Sequence, residues 1–165
     1  MKRVIALSDS HGDVSALRDA FAQAQRRGRI DAAVFLGDGI ADFELVRPEM
    51  IRSGVKCHVV RGNNDWRCQE PDDILFSVNG VRFLACHGHA RYVKYGLDRL
   101  WYAALEREAK VVLYGHTHRE KIDLEHGMYC INPGAVCERH QNRSAYAEIL
   151  VEDNGFVQAS LCKWE

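Results

Sequence analysis

The sequence predicts a mixed α/β layered fold, with sheet in the middle and helices outside. Three observations predict it. Short apolar runs alternate with helix-length amphipathic stretches through the first part of the chain. The last third is mostly strand-like, with turn signals at His126-Gly127 and Asn154-Gly155. Finally, five apolar runs each end in a glycine-containing turn that carries carboxylate, amide or imidazole groups. These turns are Ser8-Asp9-Ser10-His11-Gly12, Gly37-Asp38-Gly39, Gly62-Asn63-Asn64-Asp65, His87-Gly88-His89 and Tyr114-Gly115-His116-Thr117-His118. Five such clusters, each at the end of its own strand, predict one site gathered along one edge of a sheet.

In chain order, residues 4–7 read as a buried strand. Asp13 is a good N-cap for the helix that follows, where Val14, Leu17, Phe21 and Ala24 repeat at helical spacing and Gly28 supplies a stop. Residues 32–36 form the second strand. A second helix is expected over about 42–52, with Pro48 as a point of kinking or breakage. Residues 55–60 form the third strand. Residues 74–78 and 81–85 flank Asn79-Gly80, a two-residue hairpin signal. A helix over about 98–110 carries Leu100, Trp101, Ala104 and Leu105 on one face, and 111–113 is the next strand. Residues 122–124 with 129–131, and 145–151 with 156–161, read as two antiparallel hairpins.

The 165 residues suit one domain, 1–165, with a real core and no need of a disulfide or zinc staple. A net charge of −1 excludes bulk attraction to long nucleic acid or to an anionic membrane, so any affinity for phosphate must be local. The six cysteines form no Cys-x-x-Cys pair and read as small buried hydrophobes in a reducing compartment. The apolar run near the N-terminus is too short for a signal peptide, no stretch has the length of a transmembrane helix, and a cytoplasmic location is expected.

The side chains in the five turns define the chemistry by type. Asp9, His11 and His118 offer one carboxylate and two imidazoles. Asn63, His87 and His116 offer one amide oxygen and two imidazoles, and Asp38 can bridge two ions. This mixed nitrogen and oxygen set lacks thiolate. It suits Mn²⁺, Ni²⁺, Fe²⁺, Zn²⁺ or Co²⁺, and suits neither a cysteine-rich structural zinc cage nor an all-oxygen Mg²⁺ site. Two divalent ions per chain are expected, Mn²⁺ first among them. Two ions ~3.5–4 Å apart are the usual arrangement for in-line displacement at phosphorus. A water bridging them is acidified to hydroxide and attacks, and the loaded site keeps a charge of about +1 that attracts an anion.

The five clusters, in this order, resemble the signature of the calcineurin-like metallophosphoesterases. The small size, the early Asp9-Ser10-His11-Gly12-Asp13 and the downstream Asn132-Pro133-Gly134 resemble the compact bacterial and archaeal phosphodiesterase branch. The resemblance spans residues 4 to about 135, and the C-terminal hairpin fits it. It implies a four-layer α-β-β-α sandwich of two mixed β-sheets flanked by helices, with the dimetal site at the strand C-terminal ends. By position, Asp9, His11, Asp38 and His118 would hold one ion, and Asp38, Asn63, His87 and His116 the other. Asp38, Asn64 and His89 are the catalytic candidates.

Two positions depart from the pattern. Asn64 stands where many members carry a proton-donating histidine, and an amide cannot act as a general acid. Water or His89 must then serve the leaving group, or it departs unaided. Ala135 stands where related sequences usually carry Ser. The function expected is a phosphodiesterase acting on a small phosphate ester, nucleotides among the candidates, with a phosphomonoesterase as the alternative. A non-catalytic scaffold, as in the retromer branch of this fold, is disfavoured because His11, His87, His116 and His118 are all present. A nuclease on long DNA would need a basic groove that is absent. A homo-oligomer is left open.

Around these motifs, Asp65 is expected to orient its loop. Arg91 and Arg139 are candidates for a phosphate clamp, since arginine suits bidentate geometry, but most arginines are simply solvated and that is the favoured reading. Tyr92 and Tyr95 suit a stacking wall for a nucleobase, but an apolar loop folded over the sheet or covered by a second subunit is the favoured reading. Trp101 is assigned to the core. His58, His126 and His140 receive no role.

Overall fold

The strands at residues 4–7 and 32–36 are apolar at consecutive positions because both faces of their sheet are covered. In the computed structural model, which describes residues 1–165, they are β1 (Lys2–Leu7) and β2 (Ala32–Phe35), and both run parallel to β3 (Lys56–Val59). The antiparallel pair β9 (Ser144–Val151) and β10 (Val157–Lys163) extends this sheet, in the order β10-β9-β1-β2-β3. The second sheet contains β4 (Asp73–Val78), β5 (Val81–Cys86), β6 (Val111–Leu113), β7 (Lys121–Glu125) and β8 (Met128–Asn132), in the order β4-β5-β6-β8-β7.

Side-chain alternation sorts the core into layers. Ile5, Leu7, Ala33 and Phe35 turn outward against α1 (Val14–Arg26) and α2 (Ile40–Arg52), meeting Leu17, Phe21, Phe43 and Met50. Val4, Ala6, Val34 and Leu36 turn inward against Phe83, Ala85, Val111 and Leu113 of the second sheet. The outer face of that sheet, through Leu84, Val112 and Cys130, packs on Leu100, Ala103 and Ala104 of α3 (Asp98–Glu106). The result is the four-layer α-β-β-α sandwich. Each fully buried Leu, Ile or Phe in these layers contributes about 1.5–3 kcal/mol.

Local signals placed most elements well. Asp13 caps α1, its side chain accepting from the Ala16 N–H at 2.9 Å. Asn79 and Gly80 both take positive φ, 46° and 76°, as the hairpin turn requires. Two helices differ from expectation. The second helix starts at Ile40 rather than Asp42, because a carboxylate from another loop, Asp65, caps it at Gly39 and Ile40. Pro48 lies inside this helix on its exposed side and does not end it. The third helix ends at Glu106, four residues before Lys110. Glu108 takes a left-handed φ of 53°, and the Ala109 N–H donates back to the Ala104 carbonyl at 2.9 Å. Leu105 therefore faces solvent, and Trp101 is half-buried at the edge of the third cluster.

The last third is mostly strand, as expected, with two short 3-10 turns that meet at a kink at Glu138 lying over Val136–Gln141 between β8 and β9. All six cysteines are free, with Cys86, Cys130 and Cys162 buried. No helix is long and apolar enough to cross a membrane.

Candidate metal centre

The parallel strands β1, β2 and β3 of one sheet and β5, β6 and β8 of the other end at the same edge of the sandwich. Cross-links between the loops show this. The Asp9 N–H donates to the Gly37 carbonyl, the Gly115 N–H to the His87 carbonyl, and the His116 N–H to Asp9 Oδ2 at 3.1 Å, from one sheet to the other. The turns are tight. Asp9, His11, Asp38, His116 and His118 all adopt positive φ, between 42° and 69°. For L-residues this conformation costs about 1–2 kcal/mol each. Concentrating that cost on five of the six carboxylate and imidazole candidates marks the site as built for those side chains. Gly62 lets two of the loops meet, since a Cβ there would overlap Asp38 Oδ1 and the Asp38 backbone N.

The six side chains form two groups whose ligand atoms lie within 4.8 Å of one another: Asp9, His11 and His118, and Asp38, His87 and His116. In the first, Asp9 Oδ1 is 3.4 Å from His11 Nε2 and 3.2 Å from His118 Nε2. The two imidazole nitrogens are 3.1 Å apart. Asp38 joins the groups, with Oδ2 3.4 Å from His87 Nε2 and 3.6 Å from His11 Nε2.

His87, His118 and Asp9 are oriented from behind. The Leu36 carbonyl accepts from His87 Nδ1–H at 2.7 Å, and Glu138 Oε1 accepts from His118 Nδ1–H at 3.0 Å. Both rings thus turn Nε2 to the centre, the arrangement that raises the basicity of a metal-binding imidazole. Asp9 Oδ2 accepts from Ser8 Oγ and the His116 N–H, which leaves Oδ1 for the centre. Asp9 Oδ1 and His87 Nε2 are both buried with no hydrogen-bond partner. A buried carboxylate oxygen and a buried imidazole nitrogen left unpartnered and pointing at one spot are what a cation would satisfy. The donor set therefore fits divalent metal.

A sequence profile of the calcineurin-like phosphoesterase superfamily domain matches residues 1–154. The chain belongs to this superfamily. A probable metallophosphoesterase of Bacillus subtilis is 27% identical over 152 residues, 92% of this chain and 85% of the relative. A protein named as a phosphodiesterase in Methanocaldococcus jannaschii is 25% identical over 145 residues, 79% and 82% of the two chains. Among solved structures, a predicted phosphoesterase of Streptococcus pneumoniae superposes with a TM-score of 0.72 at 25% identity, covering 99% of this chain and 98% of its own. Vps29 of Chaetomium thermophilum superposes at 0.71 with 17% identity, covering 99% and 97%, a likeness of fold alone.

Within this superfamily member, the remaining expected residues are placed as follows. Asn63 lies in the same turn as Asn64, is exposed, and its side chain makes no hydrogen bond to the six ligands. Asn64 holds Asp38. Its backbone N–H donates to Oδ1 and its side-chain amide to Oδ2, both at 2.8 Å. His89 stands beside His87 and His116, with ring centroids 5.5 and 6.2 Å away. Asp65 orients its loop as expected, accepting from the backbone N–H groups of Asp38, Gly39, Ile40 and Gly62.

Four flanking side chains are placed as follows. Neither arginine clamps the site. Arg91 pairs with Asp73 at 2.5 Å, and Arg139 pairs with Asp19 at 2.9 Å and lies over the Trp164 ring. Tyr92 and Tyr95 do not fold over the sheet. They project into solvent while Val93 alone enters the core, because the two 3-10 turns His89–Arg91 and Val93–Tyr95 meet at a left-handed Tyr92. Glu138 and Asp42 were not foreseen. Glu138 arrives from the unanticipated 3-10 segment, and Asp42 accepts from Ser10 Oγ at 2.6 Å and from the Gly12 N–H at 2.8 Å, bracing the first loop. No local spacing marks either one.

Charge in the metal-free centre is unevenly shared. Burial pushes the Asp38 carboxyl up, but hydrogen bonds involving His87 and Asn64 outweigh it and hold it at about 2. Asp9 is held well below the usual carboxylate range, burial being outweighed by His11 and His118. The hydrogen bond to Asp9, assisted by Glu138, lifts the His118 imidazole to about 9. Burial, with the charges of His87 and Lys94, lowers His116 to about 4. At pH 7.5 His118 is therefore protonated and His116 neutral. Metal binding needs neutral imidazoles, so at pH 7.5 it should release protons, with His118 a source of them. The release should fade as pH rises through about 9. Calorimetry in buffers of different ionisation enthalpy measures it, and a buffer-independent heat at pH 7.5 would contradict this reading. The His118 contribution to the stability of the metal-free fold is complete below the ordinary value of 6.5 and is lost as pH rises through about 9.

Proposed function

We propose that the chain is a hydrolase of phosphodiesters and that Asp9, His11, Asp38, Asn63, His87, His116 and His118 hold two divalent ions, Mn²⁺ first, with Ni²⁺, Fe²⁺, Zn²⁺ or Co²⁺ as alternatives. The observation that carries it is the convergence of six ligand side chains on one spot, two of their buried atoms left without any other partner. When bound, such ions acidify water and neutralise charge on phosphoryl oxygens. The chain's own residues do the rest. Asp38 shares its Oδ2 between the two groups, and Asn64 fixes that carboxylate from behind. Glu138 and the Leu36 carbonyl hold His118 and His87 with Nε2 inward. Water adds across the P–O bond, its oxygen going to phosphorus and a proton to the oxygen that leaves.

Preference for a diester follows from what the site lacks. Burial lowers the His89 imidazole below its ordinary value, so the ring is neutral at pH 7 and a weak proton donor. Asn64 donates none. Arg91 and Arg139, which would grip a dianionic monoester, are paired elsewhere. The M. jannaschii relative named as a phosphodiesterase supports the same reading. The Mn²⁺-supplemented protein should therefore hydrolyse bis-p-nitrophenyl phosphate faster than p-nitrophenyl phosphate. The reverse order would make it a monoesterase. The likeness to Vps29 raises a scaffold role, but it extends only to the fold, and the complete histidine set favours catalysis. The protein is expected to work in the cytoplasm, on a small ester, nucleotides included.

A further inference from the structure

Two cavities adjoin the ligand cluster beyond the end of β6. The inner one, about 350 Å³, is lined by His116, His118 and Glu138 together with Lys94, Thr117 and Arg119. The outer one, about 480 Å³, continues past the same Lys94, Thr117 and Arg119 to Lys121 and the apolar Val93 and Leu97. Its wall carries three cationic side chains and no acidic one, on a chain whose net charge is −1. Lys121 is paired with Asp123 at 3.2 Å. The Lys94 ammonium and the Arg119 guanidinium have no carboxylate partner and donate no hydrogen bond. Arg143, which also lines the inner cavity, is paired with Glu120, and Arg91 with Asp73. The cavity beside His89 is lined by Asp72, Asp73 and Arg91, with Asp73 paired to Arg91 and Asp72 to Arg61, so it offers an anion no unpaired cation. A negatively charged extension of the substrate finds its unpaired cations beyond His116 and His118.

We infer that Lys94 and Arg119 form a second anion subsite, which takes the next phosphate of an oligophosphate whose first phosphorus sits at the ligand cluster. The inference rests on the hydrolytic reading above and narrows it to esters of oligophosphate, such as nucleoside polyphosphates. It also resolves the missing proton donor. Water attacks phosphorus, the P–O–P bridge breaks, and the bridging oxygen leaves with the bonding electron pair as part of a phosphate. A phosphate leaving group, with a second pKa of about 6, departs without a general acid. The water proton goes to solvent.

Two measurements test this. Diadenosine triphosphate and bis-p-nitrophenyl phosphate are compared as substrates of the Mn²⁺-supplemented wild type, Lys94→Ala, Lys94→Arg and Arg119→Ala. Separately, binding of inorganic pyrophosphate to the metal-free full chain is followed by calorimetry in chelator. The ratio of kcat/KM for the triphosphate to that for the diester should fall about tenfold or more in each alanine variant, and Lys94→Arg should restore it. Pyrophosphate binding should weaken in the same variants. Should no form turn over either substrate while pyrophosphate binding still depends on Lys94 and Arg119, the hydrolase reading fails and the subsite stands. An unchanged ratio, an equal fall for both substrates, or pyrophosphate binding indifferent to both residues overturns the subsite.

Discussion

Asp38→Asn should lower metal-dependent hydrolysis of bis-p-nitrophenyl phosphate by about a thousandfold while leaving the fold intact. The position is chosen for its geometry. Asp38 Oδ2 lies 3.4 Å from His87 Nε2 and 3.6 Å from His11 Nε2, so this one atom faces both ligand groups. Asparagine preserves the shape and removes the charge. One end of the new amide also opposes the Asn64 amide, which now donates to Oδ2 at 2.8 Å. The variant should bind fewer ions per chain, and its circular dichroism should match that of the wild type. Asp13→Asn, which changes a capping carboxylate outside the cluster, is the control for simple loss of charge. Wild-type turnover in Asp38→Asn would remove Asp38 from the centre.

The largest structural effect is expected at Asp65. Its carboxylate touches no ligand side chain, yet it accepts from four backbone N–H groups, those of Asp38, Gly39, Ile40 and Gly62, at 2.7–3.0 Å. It caps α2 and ties the loop after β2 to the loop after β3. Removing it leaves several part-buried donors dependent on water, so Asp65→Ala should destabilise the protein by about 3 kcal/mol. The Asp38 loop should loosen with it, and metal affinity should fall well before global unfolding. Chemical denaturation followed alongside Mn²⁺ binding separates the two effects. A loss of stability within about 0.5 kcal/mol of wild type would show that the shared carboxylate is not what holds the loops.

The sequence made much of this legible, and the limits have physical causes. Strands buried on both faces read as unbroken apolar runs, so β1, β2 and β6 could be placed closely. Candidate ligands at strand ends were visible because each turn couples glycine with carboxylate or imidazole over a few residues. What escaped detection depends on contacts distant in sequence. Glu138 reaches His118 across twenty residues from a 3-10 segment with no periodic signal. Asp65 caps a helix that begins twenty-five residues earlier. The end of α3 is set by a left-handed Glu108, a residue type that gives no warning of it. The ion pairs of Arg91 and Arg139 were not legible because their partners, Asp73 and Asp19, come close only in the folded chain.

The most direct test of the central proposal is a titration of metal-stripped protein with Mn²⁺, counting bound ions while following hydrolysis of bis-p-nitrophenyl phosphate. Turnover that appears on metal addition and reaches its plateau at two ions per chain is the result predicted. Two ions bound with no turnover under Mn²⁺, Ni²⁺ or Zn²⁺ would contradict it, and would leave a metal-binding protein that uses this fold for something other than phosphodiester hydrolysis.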